Sequence, residues 1–134
     1  MKELMSSNIY DAAGAVLIAG SCLESTHPKA FALLAEGMDR VYTLCLEQTH
    51  INMAITKIAA MLGTGQIQRL VFASVDRSPH CVQLHYIKHE IQRTMEIRIP
   101  VEQYVAVGDS CVKVSEAAVE ASKTLSRLTE LIVE

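Results

Sequence analysis

Four cysteines are the residues of this chain with the most chemistry to offer. Cys22, Cys45 and Cys111 close or follow short apolar segments that are typical of strands, and Cys81 comes early in the helix after a third such segment. Thiolates attack electrophiles and bind soft metals, whereas a buried thiol packs as a small apolar side chain. Because parallel sheets bind ligands beyond the carboxyl ends of their strands, we expect the cysteines at a binding rim, with simple packing as the alternative for each.

Cys81 is the strongest candidate for a nucleophile. A serine and a proline precede it and are typical of a helix start, so Cys81 lies in the first turn, where free amides and the helix dipole favour a thiolate. His80 adds to this effect when it is protonated, and Asp76 opposes it. One hypothesis is therefore a sulfur or acyl carrier with Cys81 as the catalytic thiol and His80 or His85 as its base.

The histidines offer a second kind of site. Cys81 and His85 have the i, i+4 spacing that can hold one zinc on a helix. At about 100° per residue, His85 and His89 point progressively away from the apolar stripe of that helix, so we expect His89 in solvent. His27 and His50 lie in loops or first turns after two strands, and surface positions explain them best.

The elements that position these side chains alternate between strand and helix. This order predicts an α/β protein: a three-layer, four-stranded, mostly parallel sheet of order 2-1-3-4, flavodoxin-like or Rossmann-like, with residues 1–134 forming a single domain. The predicted strands are 15–20, 41–46, 70–75 and 104–108, and each is followed by a helix. The last helix repeats its apolar residues at four and three spacing from Val114 to Ile132, and its start depends on whether Ser115 is the cap.

Composition excludes several classes of function. The net charge is -3 and aromatic residues make up 4% of the chain, which argues against a nucleic-acid partner. No apolar run approaches the roughly 20 residues of a membrane span, and the first residues lack the apolar core of a secretory signal. We therefore expect a cytoplasmic protein whose thiols stay reduced.

The segments around the cysteines resemble an α/β domain of small prokaryotic ferredoxin-like proteins. In that family the domain follows a two-cluster ferredoxin module and has a cysteine after strand one, another after strand two and a Val-Pro-Cys-Cys turn after strand three. The resemblance rests on residues 17–22, on Cys45, on LVFASVDRSPHC at 70–81 and on IPVEQYVAVGD at 99–109. It covers about residues 15 to 110 and leaves out the C-x2-C-x2-C run of a ferredoxin module.

Matched by residue, Cys22 and Cys45 take the first two cysteine positions and Pro79 takes that of the proline. His80 stands where the family has the first of the paired cysteines, and Cys81 matches the second. The chain also lacks the Pro-Lys that follows the second-strand cysteine in the family. The resemblance implies an iron–sulfur or metal-linked redox role in which His80 can still act as a ligand, because imidazole replaces thiolate on iron or zinc.

These observations lead to a main hypothesis of a metal-binding or iron–sulfur redox accessory domain with a redox protein as its partner. Its ligands are Cys22, Cys45 and Cys81, with His80 or Cys111 as the fourth, around an iron–sulfur cluster or zinc. The thiol carrier and a non-catalytic interaction module, whose cysteines only pack, stay as alternatives. The apolar last helix and the six methionines favour a homodimer.

Overall fold

The computed structural model describes residues 2–132, apart from the side chain of His80. These residues form one sheet of six strands with helices on both faces. The strands are β1 (Lys2–Glu3), β2 (Gly14–Gly20), β3 (Arg40–Leu44), β4 (Ile67–Val75), β5 (Val101–Val107) and β6 (Ser110–Lys113). The helices are α1 (Leu23–Thr26), α2 (Pro28–Ala35), α3 (Ile51–Gly63), α4 (Pro79–Val82), α5 (Tyr86–Gln92), α6 (Glu116–Ser122) and α7 (Leu125–Leu131), with a 3-10 turn at Gln83–His85.

The strands stand in the order β1-β3-β2-β4-β5-β6. All neighbouring pairs are parallel except β5 with β6, which are antiparallel. The four strands expected from the sequence are β2 to β5, and their order, 2-1-3-4 in the numbering of that prediction, is confirmed. The described sheet has six strands rather than four, because a two-residue edge strand joins β3 and a hairpin adds β6 to β5.

Side chains of the central strands alternate between two apolar layers. In β2, Val16 and Ile18 belong to one buried cluster with Ile58 of α3, while Leu17 and Ala19 belong to a second cluster that contains residues of α1 and α2. A strand buried on both faces reads as a continuous apolar run, which is why AVLIAG indicated one. The three-layer α/β architecture is confirmed.

The C-terminal helical region is divided into α6 and α7. Ser115 caps α6, and its side chain accepts a hydrogen bond from the backbone N–H of Ala118. Val119 and Ala121 are buried, but Leu125 is 78% exposed and α7 buries none of its residues. The long amphipathic stripe expected up to Ile132 therefore has its buried residues only in its first half. Among residues 2–132, no helix has both the length and the apolar character that a membrane crossing requires.

Candidate functional site

A small pocket of about 170 Å³ lies beyond the carboxyl ends of β2, β3 and β4. Three of the four cysteines line it. Cys22 and Cys45 lie shortly after β2 and β3, and Cys81 lies in α4, the helix that follows β4. This position is the switch point of the sheet, because the chain leaves β2 toward β3 on one side and reaches β4 on the other. The lining residues are Gly20, Ser21, Cys22, Leu44, Cys45, Leu46, Glu47, Ser78, Cys81 and Leu84.

Cys22 and Cys81 form a close sulfur pair. Their Sγ atoms are 3.7 Å apart, although the residues are 59 positions apart in the chain. Cys22 directly precedes α1, and its carbonyl oxygen accepts hydrogen bonds from the hydroxyls of Ser25 and Thr26. Cys81 lies in α4, which Ser78 caps by accepting the Cys81 N–H. Local hydrogen bonds thus fix the backbone at both cysteines and keep the two sulfurs close together. Cys22 is exposed and Cys81 is half-buried.

Gly20 makes room for this pair. A Cβ atom on Gly20 would lie 2.8 Å from the Sγ of Cys81, far inside an ordinary contact distance. The φ angle of Gly20 is not left-handed, so the backbone does not require glycine at this position. Glycine is needed at this position only because a side chain would collide with the Cys81 sulfur. Sequence reasoning interpreted Gly20 only as the end of the apolar run at 15–20 and did not detect this role.

The environment of the pair keeps Cys22 protonated. Partial desolvation at the pocket, followed by the neighbouring Cys81 and then Cys45, raises the pKa of the Cys22 thiol above its ordinary value. The residue as a whole is exposed, and its sulfur faces that of Cys81. Near neutral pH, Cys22 is therefore a thiol that can donate toward the Cys81 sulfur.

The other ligands predicted from the sequence do not all lie at the pocket of the Cys22–Cys81 pair. Cys45 lines the same pocket, directly after β3, and is half-buried. The side chain of His80 lies outside the described residues. Cys111 sits in β6, where its Sγ donates to the carbonyl oxygen of Ala30 at 3.4 Å and packs with the α1 and α2 layer. The structure brings three of the cysteines together at the pocket and leaves Cys111 apart from them.

The described residues contain no group of three or more histidine, cysteine or acidic side chains within metal-binding distance. The Cys22–Cys81 pair nevertheless fits a metal. Two bonds of about 2.3 Å at a tetrahedral angle place their sulfurs about 3.8 Å apart, close to the observed 3.7 Å. A complete centre would require Cys45 to approach this pair, and a fourth ligand in addition.

His85 does not serve Cys81 as the sequence hypothesis expected. Its ring is almost fully buried, its Nε2 lies 2.7 Å from the hydroxyl of Ser74, and its Nδ1 lies 3.3 Å from the amide nitrogen of Gln103. That amide also donates to the His85 carbonyl oxygen at 2.9 Å. Burial lowers the pKa of His85 to about 4, so the ring is neutral. These three residues tie the helical segment that carries Cys81 to β4 and β5.

His89 is buried rather than solvated, which corrects the expectation from helical spacing. Its Nδ1 lies 2.6 Å from a carboxylate oxygen of Glu120 and 3.3 Å from the amine of Lys123, both contributed by the α6 region. His27 contacts Thr26, and His50 directly precedes α3; neither lines the cysteine pocket. Sequence reasoning missed the α6 contacts because they depend on tertiary packing.

The fold and the site define a class of protein: a doubly wound α/β domain with its candidate site at the switch point of the sheet. The chain belongs to the Rossmann-like domain family, whose model matches residues 11–133. No curated protein and no solved structure matched the chain. Dinucleotide-binding members of this fold class have a glycine-rich turn after the first strand of the fold, whereas this chain has Ser21 and Cys22 there.

Proposed function

We propose that this domain binds a soft metal ion or an iron–sulfur cluster through its cysteine pocket and acts as a redox accessory domain. The observation that supports the proposal is the 3.7 Å separation of the Cys22 and Cys81 sulfurs. Two thiolates bound to one metal have this separation. Two thiols in contact also have it, so the proposal rests in addition on the third thiol, Cys45, that lines the same pocket. Iron in a cluster and zinc are both bound by thiolates, so the chemistry of the pair suits either.

The third ligand in this proposal is Cys45, which faces the same pocket from the end of β3. His80 is the fourth, because the resemblance to ferredoxin-like proteins places it next to Cys81 in the turn after β4. Cys111, the other candidate for the fourth ligand, is set aside in this proposal, since its sulfur is hydrogen-bonded to the α2 backbone. Strand ends provide rigid positions for such ligands, and the small pocket limits access of solvent.

The setting of the proposal is the cytoplasm, where thiols stay reduced and available as ligands. The same resemblance supports a redox protein as the partner. A metal centre at the rim of a sheet lies within reach of such a partner, because Cys22 lines the pocket and is exposed. Acidic Glu47 is the charged residue in the lining and would adjust the charge of a bound centre.

Anaerobic purification or reconstitution, followed by metal analysis and an absorbance spectrum, tests the proposal. We expect about one equivalent of zinc, or a charge-transfer band from iron, in the wild type, and at least a tenfold lower affinity in Cys22→Ser and Cys81→Ser. Cys111→Ser is the matched control, since it removes a thiol away from the pocket. A protein that binds neither iron nor zinc, or equal losses in the control, would contradict the proposal.

A thiol carrier with Cys81 as the nucleophile is the second candidate. The pocket favours it in one respect: its volume of about 170 Å³ accommodates a small acyl group or a persulfide beside Cys81. His85 is unsuitable as the base because its ring nitrogens face Ser74 and Gln103, which leaves His80 for that role. Alkylation rates against pH separate the two candidates, because a carrier requires one thiol, Cys81, that reacts much faster than the others near neutral pH.

A further inference from the structure

We propose that Cys22 and Cys81 also form a thiol–disulfide couple that exchanges electrons with small-molecule or protein disulfides. This activity goes beyond metal binding, because it needs only these two sulfurs and proceeds in the absence of metal. The two activities exclude each other at a given moment, since a disulfide sulfur no longer acts as a thiolate ligand.

The geometry of the pair is that of a dithiol close to bond formation. The sulfurs are 3.7 Å apart, and a disulfide bond of about 2.05 Å requires them to approach by roughly 1.6 Å. Both side chains contribute to this approach through rotation about their Cα–Cβ bonds. Gly20 leaves the space beside the Cys81 sulfur open, so no atom of that residue stands in the way of the movement.

Exposure assigns different roles to the two thiols. Cys22 is exposed and Cys81 is half-buried, so an external disulfide reaches Cys22 first. Cys22 first loses its proton to solvent, and the resulting thiolate attacks one sulfur of the external disulfide, forms a mixed disulfide and releases one thiolate. The Cys81 thiolate then attacks the Cys22 sulfur of that mixed disulfide and releases the second thiolate.

The electron balance of this sequence is complete. The two cysteines lose two electrons and two protons in forming one disulfide, and the external disulfide takes up both to become two thiols. The reverse sequence starts when an external thiolate attacks the exposed Cys22 sulfur. Cys45 lies in the same pocket, but its sulfur has no sulfur contact among the described residues that compares with the Cys22–Cys81 pair.

The test uses the full chain after removal of metals with a chelator, so a failure of metal binding does not affect it. The protein is equilibrated in buffers of increasing ratio of glutathione disulfide to glutathione, quenched with acid, alkylated and mapped by peptide mass. We expect the Cys22–Cys81 disulfide to exceed every other cysteine pair by at least about tenfold, which is 1.4 kcal/mol in free energy. Cys45→Ser and Cys111→Ser are the matched controls and should keep this disulfide.

Two results would overturn the proposal. One is a pair that stays reduced at every glutathione ratio, and the other is a glutathione adduct that persists on Cys22 in the presence of Cys81. In the Cys81→Ser variant, by contrast, that adduct should accumulate, because the resolving thiol is absent. Metal uptake by a protein that fails this test would leave the metal proposal standing and remove only the disulfide couple.

Discussion

Replacing Gly20 with alanine tests whether the sulfur pair depends on a missing side chain. The new Cβ would lie 2.8 Å from the Cys81 sulfur, whereas non-bonded heavy atoms ordinarily approach to roughly 3.5–4.0 Å. The sulfur must therefore retreat by about 1 Å or rotate to another rotamer. Since Cys81 is half-buried and paired with Cys22, either movement costs packing energy or separates the two thiols.

The expected magnitude comes from two opposing effects. Overpacking a buried site costs about 1–3 kcal/mol of unfolding free energy. Alanine is better than glycine in a strand by about 0.5–1 kcal/mol because the unfolded chain loses less freedom, and the backbone of Gly20 permits it. We therefore expect Gly20→Ala to destabilise the protein by about 0–2.5 kcal/mol. The loss should disappear when Cys81 is replaced by alanine as well, because the clashing sulfur is then absent.

Urea unfolding of the reduced, metal-free protein measures this coupling as a double-mutant cycle. Gly63→Ala is the control, because a Cβ on Gly63 meets nothing within 4 Å and its φ angle is not left-handed. That variant should be neutral or slightly more stable. If Gly20→Ala has the same effect, within about 0.3 kcal/mol, whether or not Cys81 is present, the reasoning about the sulfur contact is refuted.

Three further predictions concern the disulfide, a buried histidine and assembly. Oxidation of Cys22 and Cys81, 59 positions apart, should raise the unfolding free energy by up to about 4 kcal/mol in the chain-entropy model; equal urea midpoints for oxidised and reduced protein would contradict this. The pKa of His85 is about 4 in the folded protein, below its ordinary value of 6.5. The neutral ring therefore stabilises the fold fully above pH 6.5, and the free energy of unfolding falls by about 3 kcal/mol as the pH falls toward 4. His85→Gln should weaken the loss of stability between pH 7 and pH 4 in urea titrations, and an unchanged slope would disprove the assignment. Leu125 and Leu131 of the unburied α7 are 78% and 66% exposed, which predicts a homodimer by light scattering; a mass near 14.7 kDa at micromolar concentration would refute it.

The central sheet was predictable because its strands are buried on both faces. Runs such as AVLIAG and LVFASV have no polar face, and in an alternating strand and helix order this leaves few topologies other than a parallel sheet. The edges were not predictable in this way. Lys2–Glu3 is too short and polar to show a pattern, and β6 depends on a reversal at Gly108, where φ is 59°.

The misplacement of His89 has a tertiary cause. Helical spacing within α5 puts His89 on the side away from Ile87 and Ile91, and the 3-10 turn at Gln83–His85 does not alter this, because all three residues follow it. That side of α5 is covered by the α6 region, where Glu120 and Lys123 contact the His89 ring. Periodicity within one helix does not show what a later helix packs against it, so the expectation of a solvated ring was wrong.

The composition of the site follows from the strand order rather than from the cysteine spacing. β2 and β4 are neighbours in the sheet, so the segments that follow them meet, and this brings Cys22 and Cys81 into contact across 59 positions. β3 lies on the other side of β2, which places Cys45 one strand away, within the pocket but farther from Cys81. β6 runs antiparallel at the opposite side of the sheet, so Cys111 has no route to the same pocket. The order 2-1-3-4 thus implies a sulfur pair, which the disulfide proposal requires, with a third thiol nearby, which the metal proposal requires in addition.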